Sequence, residues 1–248
     1  MPREQEARAA IVEAGRRLYQ RRILASIEGN MSLRMEGDRI LATPSGINKG
    51  FMREDDLVVT DLEGKPEGHG KPSSEMLMHL AIYRERPDLN AIVHAHPAVA
   101  TGYAVAGRQL PPAVLAEIVT TLGCIPIAPY GTPSTDALAE AVVGPIRNYD
   151  ALLLANHGAL TAGDSLDQAE ERMYQLEHFA EVSLVAELLG GPRAFSAEEV
   201  DRLSSLRERA GGRPVPPACY PIDSTRETIT LTKEELVALI ADAVRALR

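Results

Sequence analysis

Apolar side chains recur every three to four positions near the start of the chain, at Ala7, Ile11, Ala14, Leu18 and Tyr19, and this spacing predicts an amphipathic helix over residues 5–22. The rhythm then shortens. A Gly29-Asn30 turn leads to predicted strands over 31–35 and 39–42, joined through Glu36-Gly37-Asp38, and a further strand over 57–60 precedes a hairpin turn at 61–65. Helical spacing returns with Met76, Leu77, Leu80 and Ala81, which predict a helix over 74–85 with Ser73 or Ser74 as its N-cap. An apolar run, 89–93, ends at His94-Ala95-His96, and a second, 151–155, ends at Asn156-His157-Gly158. Between them lie a short helix at 97–106, a segment at 113–121, a strand at 125–128 and a helix at 134–147. A long helix over 165–189, with Leu166, Ala169, Met173, Leu176, Phe179 and Ala180 on its core face, closes at Gly190-Gly191-Pro192.

Early strands are joined by hairpins and later ones by helices, so the pattern predicts an α/β fold whose sheet is mixed or mainly antiparallel and flanked by helices. From Gly211 to Ser224 the composition turns to Gly, Pro and Arg. An apolar stripe of Leu231, Leu236, Ile240, Val244 and Leu247 then predicts a final amphipathic helix over 232–247. The expected organisation is one catalytic domain, 1–210, and an appended linker and helix, 211–248. Such a helix docks either on its own assembly or into a partner groove, as a microcompartment-targeting peptide would.

No stretch approaches the roughly 20 apolar residues that span a bilayer, and residues 1–6 lack an apolar signal core, so the expectation is a soluble, cytoplasmic protein with no membrane partner. A formal charge of −9 argues against a nucleic-acid partner. The two cysteines, Cys124 and Cys219, match no zinc or redox spacing and read as free thiols of a reducing compartment.

The candidate chemistry begins with histidine. Side chains at i and i+2 of a strand share a face, so His94 and His96 project together, and a distant His157 offers a third nitrogen. Three neutral imidazoles with an open position suit a catalytic Zn²⁺, although other divalent transition metals fit the same donors. Three turn segments, Gly29-Asn30, Thr43-Pro44-Ser45-Gly46 and Lys71-Pro72-Ser73-Ser74, combine flexible backbone with hydroxyl and amide donors, and the last opens a helix that favours an anion. Glu75, in the first turn of that helix, reads either as a carboxylate that complements the helix dipole or as a general base. No nucleotide-binding glycine pattern is present.

These motifs, taken in order over residues 5–189, resemble the class II aldolase/adducin family and in particular its sugar-phosphate aldolases. The resemblance implies a three-layer αβα sandwich with a mainly antiparallel central sheet, assembled as a homotetramer. It implies His94, His96 and His157 as metal ligands and Gly29, Asn30, Ser45, Gly46, Ser73 and Ser74 as the phosphate-binding set. Glu75 takes the catalytic acid/base position. The implied reaction is reversible, zinc-dependent cleavage of a ketose 1-phosphate of the fuculose, rhamnulose or 5-deoxyribulose type to dihydroxyacetone phosphate and an aldehyde. Relatives with the same motifs are methylthioribulose-1-phosphate dehydratases, pentulose-phosphate 4-epimerases and sugar-acid phosphate decarboxylases, and the family includes non-enzymatic, adducin-like scaffolds. The chain departs from the pattern twice. Leu115 stands where the family carries a tyrosine, with Glu117 nearby as a substitute, and the tyrosine that the family's C-terminal tail sends to the site is matched here by Tyr220 or, within the domain, by Tyr130.

Overall fold

The computed structural model describes residues 3–216 and Cys219. Seven strands form one sheet in the order β3-β2-β1-β4-β7-β6-β5, where β1 is Asn30–Arg34, β2 Ile40–Ala42, β3 Val58–Thr60, β4 Ala91–Ala95, β5 Ile127–Ala128, β6 Ala151–Leu154 and β7 Gly158–Gly163. The sheet is mixed. Every other neighbouring pair is antiparallel, but β5 runs parallel to β6, so the expected mainly antiparallel sheet gives way to a mixed one. The reason lies in the connection: α5, Asp136–Ile146, carries the chain from the end of β5 back to the start of β6, and a helical crossover returns a strand in its original direction.

Helices cover both faces. On one, α1 (Glu4–Gln20), α3 (Ala98–Ala106) and α6 (Leu166–Leu188) bury Ile11, Leu18, Tyr103, Met173 and Phe179 against Leu33, Leu41, Val93 and Leu153. On the other, α2 (Met76–Glu85) and α5 cover Ile40, Ile92, Leu152 and Leu160. Strand residues alternate between the two clusters as the pleat requires, with Val93 and Ile92 on opposite sides. Both faces are therefore apolar, which is why β6 reads as an unbroken run, Ala151 to Leu154, rather than an alternation. Each fully buried Leu or Ile contributes roughly 1.5–3 kcal/mol.

Two elements went unread in the sequence. Strand β7, Gly-Ala-Leu-Thr-Ala-Gly, is built from small residues of low strand propensity, because α6 crosses close above it. A Cβ on Gly163 would sit 2.9 Å from the backbone nitrogen of Ala169. Helix α7, Ala197–Arg209, carried legible signals: Ser196 caps it through Glu199 N, acidic residues fill its first turn and Arg207 and Arg209 its last.

Helix α7 packs on α4 (Ala116–Thr121) in a third apolar cluster that includes Val200, Leu203, Val215 and Cys219. Cys124 and Cys219 are joined there in a disulfide, which corrects the expectation of free thiols. Ninety-five positions separate them in sequence, so no local spacing announced the pair. Val215 and Cys219 are buried, and the segment read as a linker from Gly211 is thus anchored as far as Cys219. Tyr220 and the helix expected over 232–247 lie outside the described residues. No described helix is long and apolar enough to cross a membrane.

Candidate active site

The sheet brings the histidines together by register. Strand β4 lies between β1 and β7, with His94 opposite Asn30 on one side and Leu160 on the other. His94 is fully buried and donates from Nδ1 to the carbonyl of Ala159, 2.8 Å away, with Nε2 turned into the cluster. His96, just past the strand, brings its Nε2 to 3.1 Å from that atom. His157 arrives from the tight β6–β7 turn, whose Asn156 adopts a left-handed φ of 55°, a conformation asparagine tolerates. The three rings lie with centroids 4.8–4.9 Å apart, and their ligating nitrogens fall within 4.8 Å of one another. Gly158 is required beside them, because a Cβ there would approach His96 Cδ2 to 2.5 Å and the Ala95 carbonyl to 2.7 Å.

Glu75 closes the cluster. It occupies the N-cap position of α2, and its carboxylate spans the two buried rings, with Oε2 3.2 Å from His94 Nε2 and Oε1 3.1 Å from His157 Nε2. Burial raises its pKa, but the hydrogen bonds from His157 and His94 outweigh that and hold the carboxyl well below the usual range. Burial, with the neighbouring His94 and His157, pushes His96 down to about 4. Three imidazoles aimed at one point, with His94 fixed through its Nδ1 by a backbone carbonyl, are the arrangement in which ring nitrogens hold a cation. The donor set fits a metal ion.

Two of the turns expected to bind an anion are joined by an isolated bridge between Pro44 and Pro72, in which Ser45 N donates to Lys71 O and Ser73 N to Thr43 O, each at 3.1 Å. Two distant turns thereby become one wall. Gly29, Asn30, Ser45, Gly46, Ser73, Ser74, Glu75, His96 and His157 all line one cavity of about 450 Å³. Ser73 Oγ accepts from Glu75 N, so Glu75 rather than either serine stands at the helix cap.

Two residues of this site were not read as functional in the sequence. His79, on α2, is buried beneath Asn30 in a chain of hydrogen bonds whose direction is fixed by chemistry. Asn30 Nδ2 donates to Glu75 Oε2 at 2.8 Å, so its Oδ1 accepts from His79 Nε2 at 2.5 Å. His79 Nδ1 then accepts from Ser32 Oγ at 2.6 Å, and Ser32 accepts from Tyr83 at 2.8 Å. Burial pushes His79 down to about 3, which keeps the ring in this neutral form. The second is Lys49, buried in the cavity wall. Of the other candidates, Tyr130 is 59% exposed and Glu117 is exposed, and neither lines this cavity.

Residues 9–184 match the family model described as the class II aldolase and adducin N-terminal domain. Two similar proteins are a 3-oxo-tetronate 4-phosphate decarboxylase of Pectobacterium atrosepticum, 33% identical over 81% of this chain and 94% of that protein, and a 5-deoxy-D-ribulose 1-phosphate aldolase of Bacillus thuringiensis serovar kurstaki, 32% identical over 84% and 98%. A solved structure of L-fuculose 1-phosphate aldolase superimposes with a TM-score of 0.77 at 31% identity, covering 83% of this chain and 96% of that one.

Proposed function

The chain belongs to the class II aldolase and adducin family and is a class II lyase, and from that premise we propose that it reversibly cleaves a ketose 1-phosphate to dihydroxyacetone phosphate and an aldehyde. The observation that carries the reading is Glu75: one carboxylate reaches His94, His157 and Asn30 and so joins the histidine cluster to the anion cradle.

His94, His96 and His157 are the proposed ligands, and a set of three imidazole donors favours zinc. When bound, the ion supplies Lewis acidity toward a carbonyl oxygen. The cradle formed by Asn30, Ser45, Gly46, Ser73 and Ser74 holds the phosphate through neutral donors and the N-terminus of α2, which fixes the carbon chain along the cavity. In the addition direction Glu75 removes the proton from the carbon beside the carbonyl. In cleavage the carbon–carbon bond breaks as the proton of the aldehyde-side hydroxyl passes to Glu75, and Glu75 then delivers that proton to the ketone-side carbon. The depressed pKa of Glu75 leaves it a carboxylate at neutral pH, ready for the first of these steps. Tyr220 is proposed as the group facing the aldehyde oxygen. A homotetramer belongs to the same reading, supported by the exposed apolar side chains Val185, Leu188 and Leu189 at the end of α6.

The test is dihydroxyacetone phosphate release from a panel of ketose 1-phosphates by wild type and Glu75→Gln, with metal quantified in each. Release that depends on metal and falls by at least ~100-fold in the variant is the expected outcome. A second reading, decarboxylation of a 3-oxo sugar-acid phosphate, is favoured by the Pectobacterium relative. Metal-loaded protein that releases carbon dioxide from such an acid and no dihydroxyacetone phosphate from any ketose would establish it instead.

A further inference from the structure

Among the described residues that line the active-site cavity, Lys49 is the single lysine or arginine. The residue is only 3% exposed, an unusual position for an ammonium group unless something compensates the charge. One compensation is visible: Nζ donates to the carbonyl of Ile27 at 2.5 Å. Burial lowers its pKa while Glu28 and Glu75 oppose that from a distance, and no carboxylate oxygen among the described residues lies within the 4.0 Å of an ion pair. An ammonium carries three N–H donors, so two remain beyond the bond to Ile27.

The surrounding donors share a limitation. Asn30, Ser45, Gly46, Ser73 and Ser74 are all neutral, and a phosphate monoester at neutral pH carries close to two negative charges. Lys49 follows the Ser45-Gly46 turn by three residues and lines the same wall. We propose that Lys49 is a substrate-binding residue whose ammonium neutralises a phosphate monoester seated among Asn30, Ser45 and Ser73. The proposal rests on the reading that this cavity takes a phosphorylated substrate, and it adds a charge requirement: uncharged analogues of the same carbon skeleton bind poorly.

The test uses the metal-loaded full chain and inorganic phosphate at constant ionic strength, read as the phosphate concentration that half-saturates the rise in unfolding temperature. Wild type is stabilised by phosphate. Lys49→Met requires on the order of 10- to 100-fold more phosphate, the range of a hydrogen bond to a charged group, and Lys49→Arg falls between the two. The KM for a cleaved ketose phosphate rises in parallel, with kcat within a few-fold and metal content unchanged. A residue that merely ties the turn to Ile27 would lower the unfolding temperature of Lys49→Met without moving the phosphate midpoint, and that result overturns the proposal. So does wild-type protein that phosphate fails to stabilise. Phosphate binding that depends on Lys49 in a protein that cleaves no ketose phosphate would leave this proposal standing and remove the aldolase reading.

Discussion

At the scale of single residues, the site is a set of polar groups whose orientations are fixed by partners outside it. The chain from Tyr83 through Ser32 and His79 to Asn30 does not pass a proton to Glu75, because a carboxamide donates and accepts at different atoms without exchanging a hydrogen. Its effect is to hold the Asn30 amide with its NH₂ toward the carboxylate. His79→Leu is therefore expected to destabilise the fold by about 1–3 kcal/mol for each stranded partner and to lower kcat with metal still bound. His79→Gln, which retains a donor, restores part of the rate, and steady-state kinetics on the two variants checks this. The ring also predicts an acid limit. Its pKa falls from 6.5 unfolded to about 3 folded, so below 6.5 the unfolded chain takes up a proton that the folded chain refuses. This stability is present in full above 6.5 and is lost as pH falls toward about 3. Urea unfolding at pH 7.5 and pH 5 is expected to show a drop of about 2 kcal/mol in wild type that is smaller in His79→Gln.

At the scale of elements, strand register decides which residues meet. Asn30 and His94 are 64 positions apart and adjacent across β1 and β4, and a one-residue slip would turn either side chain to the opposite face. The β6–β7 turn places His157 just as narrowly. Gly158→Ala would drive a methyl into His96 and the Ala95 carbonyl, and is expected to weaken metal binding by at least ~10-fold while costing about 1–3 kcal/mol in stability. Metal titration with a chelator, alongside thermal unfolding, measures both. Much at this scale was legible: Met76–Glu85 and Leu166–Leu188 announced themselves by apolar spacing, and the helices are close to the spans that spacing predicts. Strand β7 was hidden because the small residues that let α6 pack close above it do not favour extended backbone, and α7 lies beyond the Gly190-Gly191-Pro192 stop.

At the scale of the whole molecule, the disulfide ties the chain after α7 to the end of α4 and closes a loop of 95 positions. In the loop-entropy model a crosslink of that span stabilises by up to about 4–5 kcal/mol. Reduction is expected to lower the unfolding midpoint by several degrees or more, and peptide mapping without reductant is expected to recover Cys124 linked to Cys219. Alkylation of both thiols in folded, unreduced protein would contradict the pairing.

The sequence by itself determined the elements with strong periodicity and the chemical types of the site: three imidazoles, a carboxylate beside a helix start, and turns rich in hydroxyl and amide donors. Those follow from local chemistry, which short stretches of chain carry whole. Only the tertiary structure decided that Glu75 faces His94 and His157, that Asn30 is turned by His79, that Lys49 is buried in the cavity wall, and that Cys124 finds Cys219. Each of these joins residues brought together by packing of separate elements, and such contacts leave no spacing in the sequence because the intervening chain can be of any length.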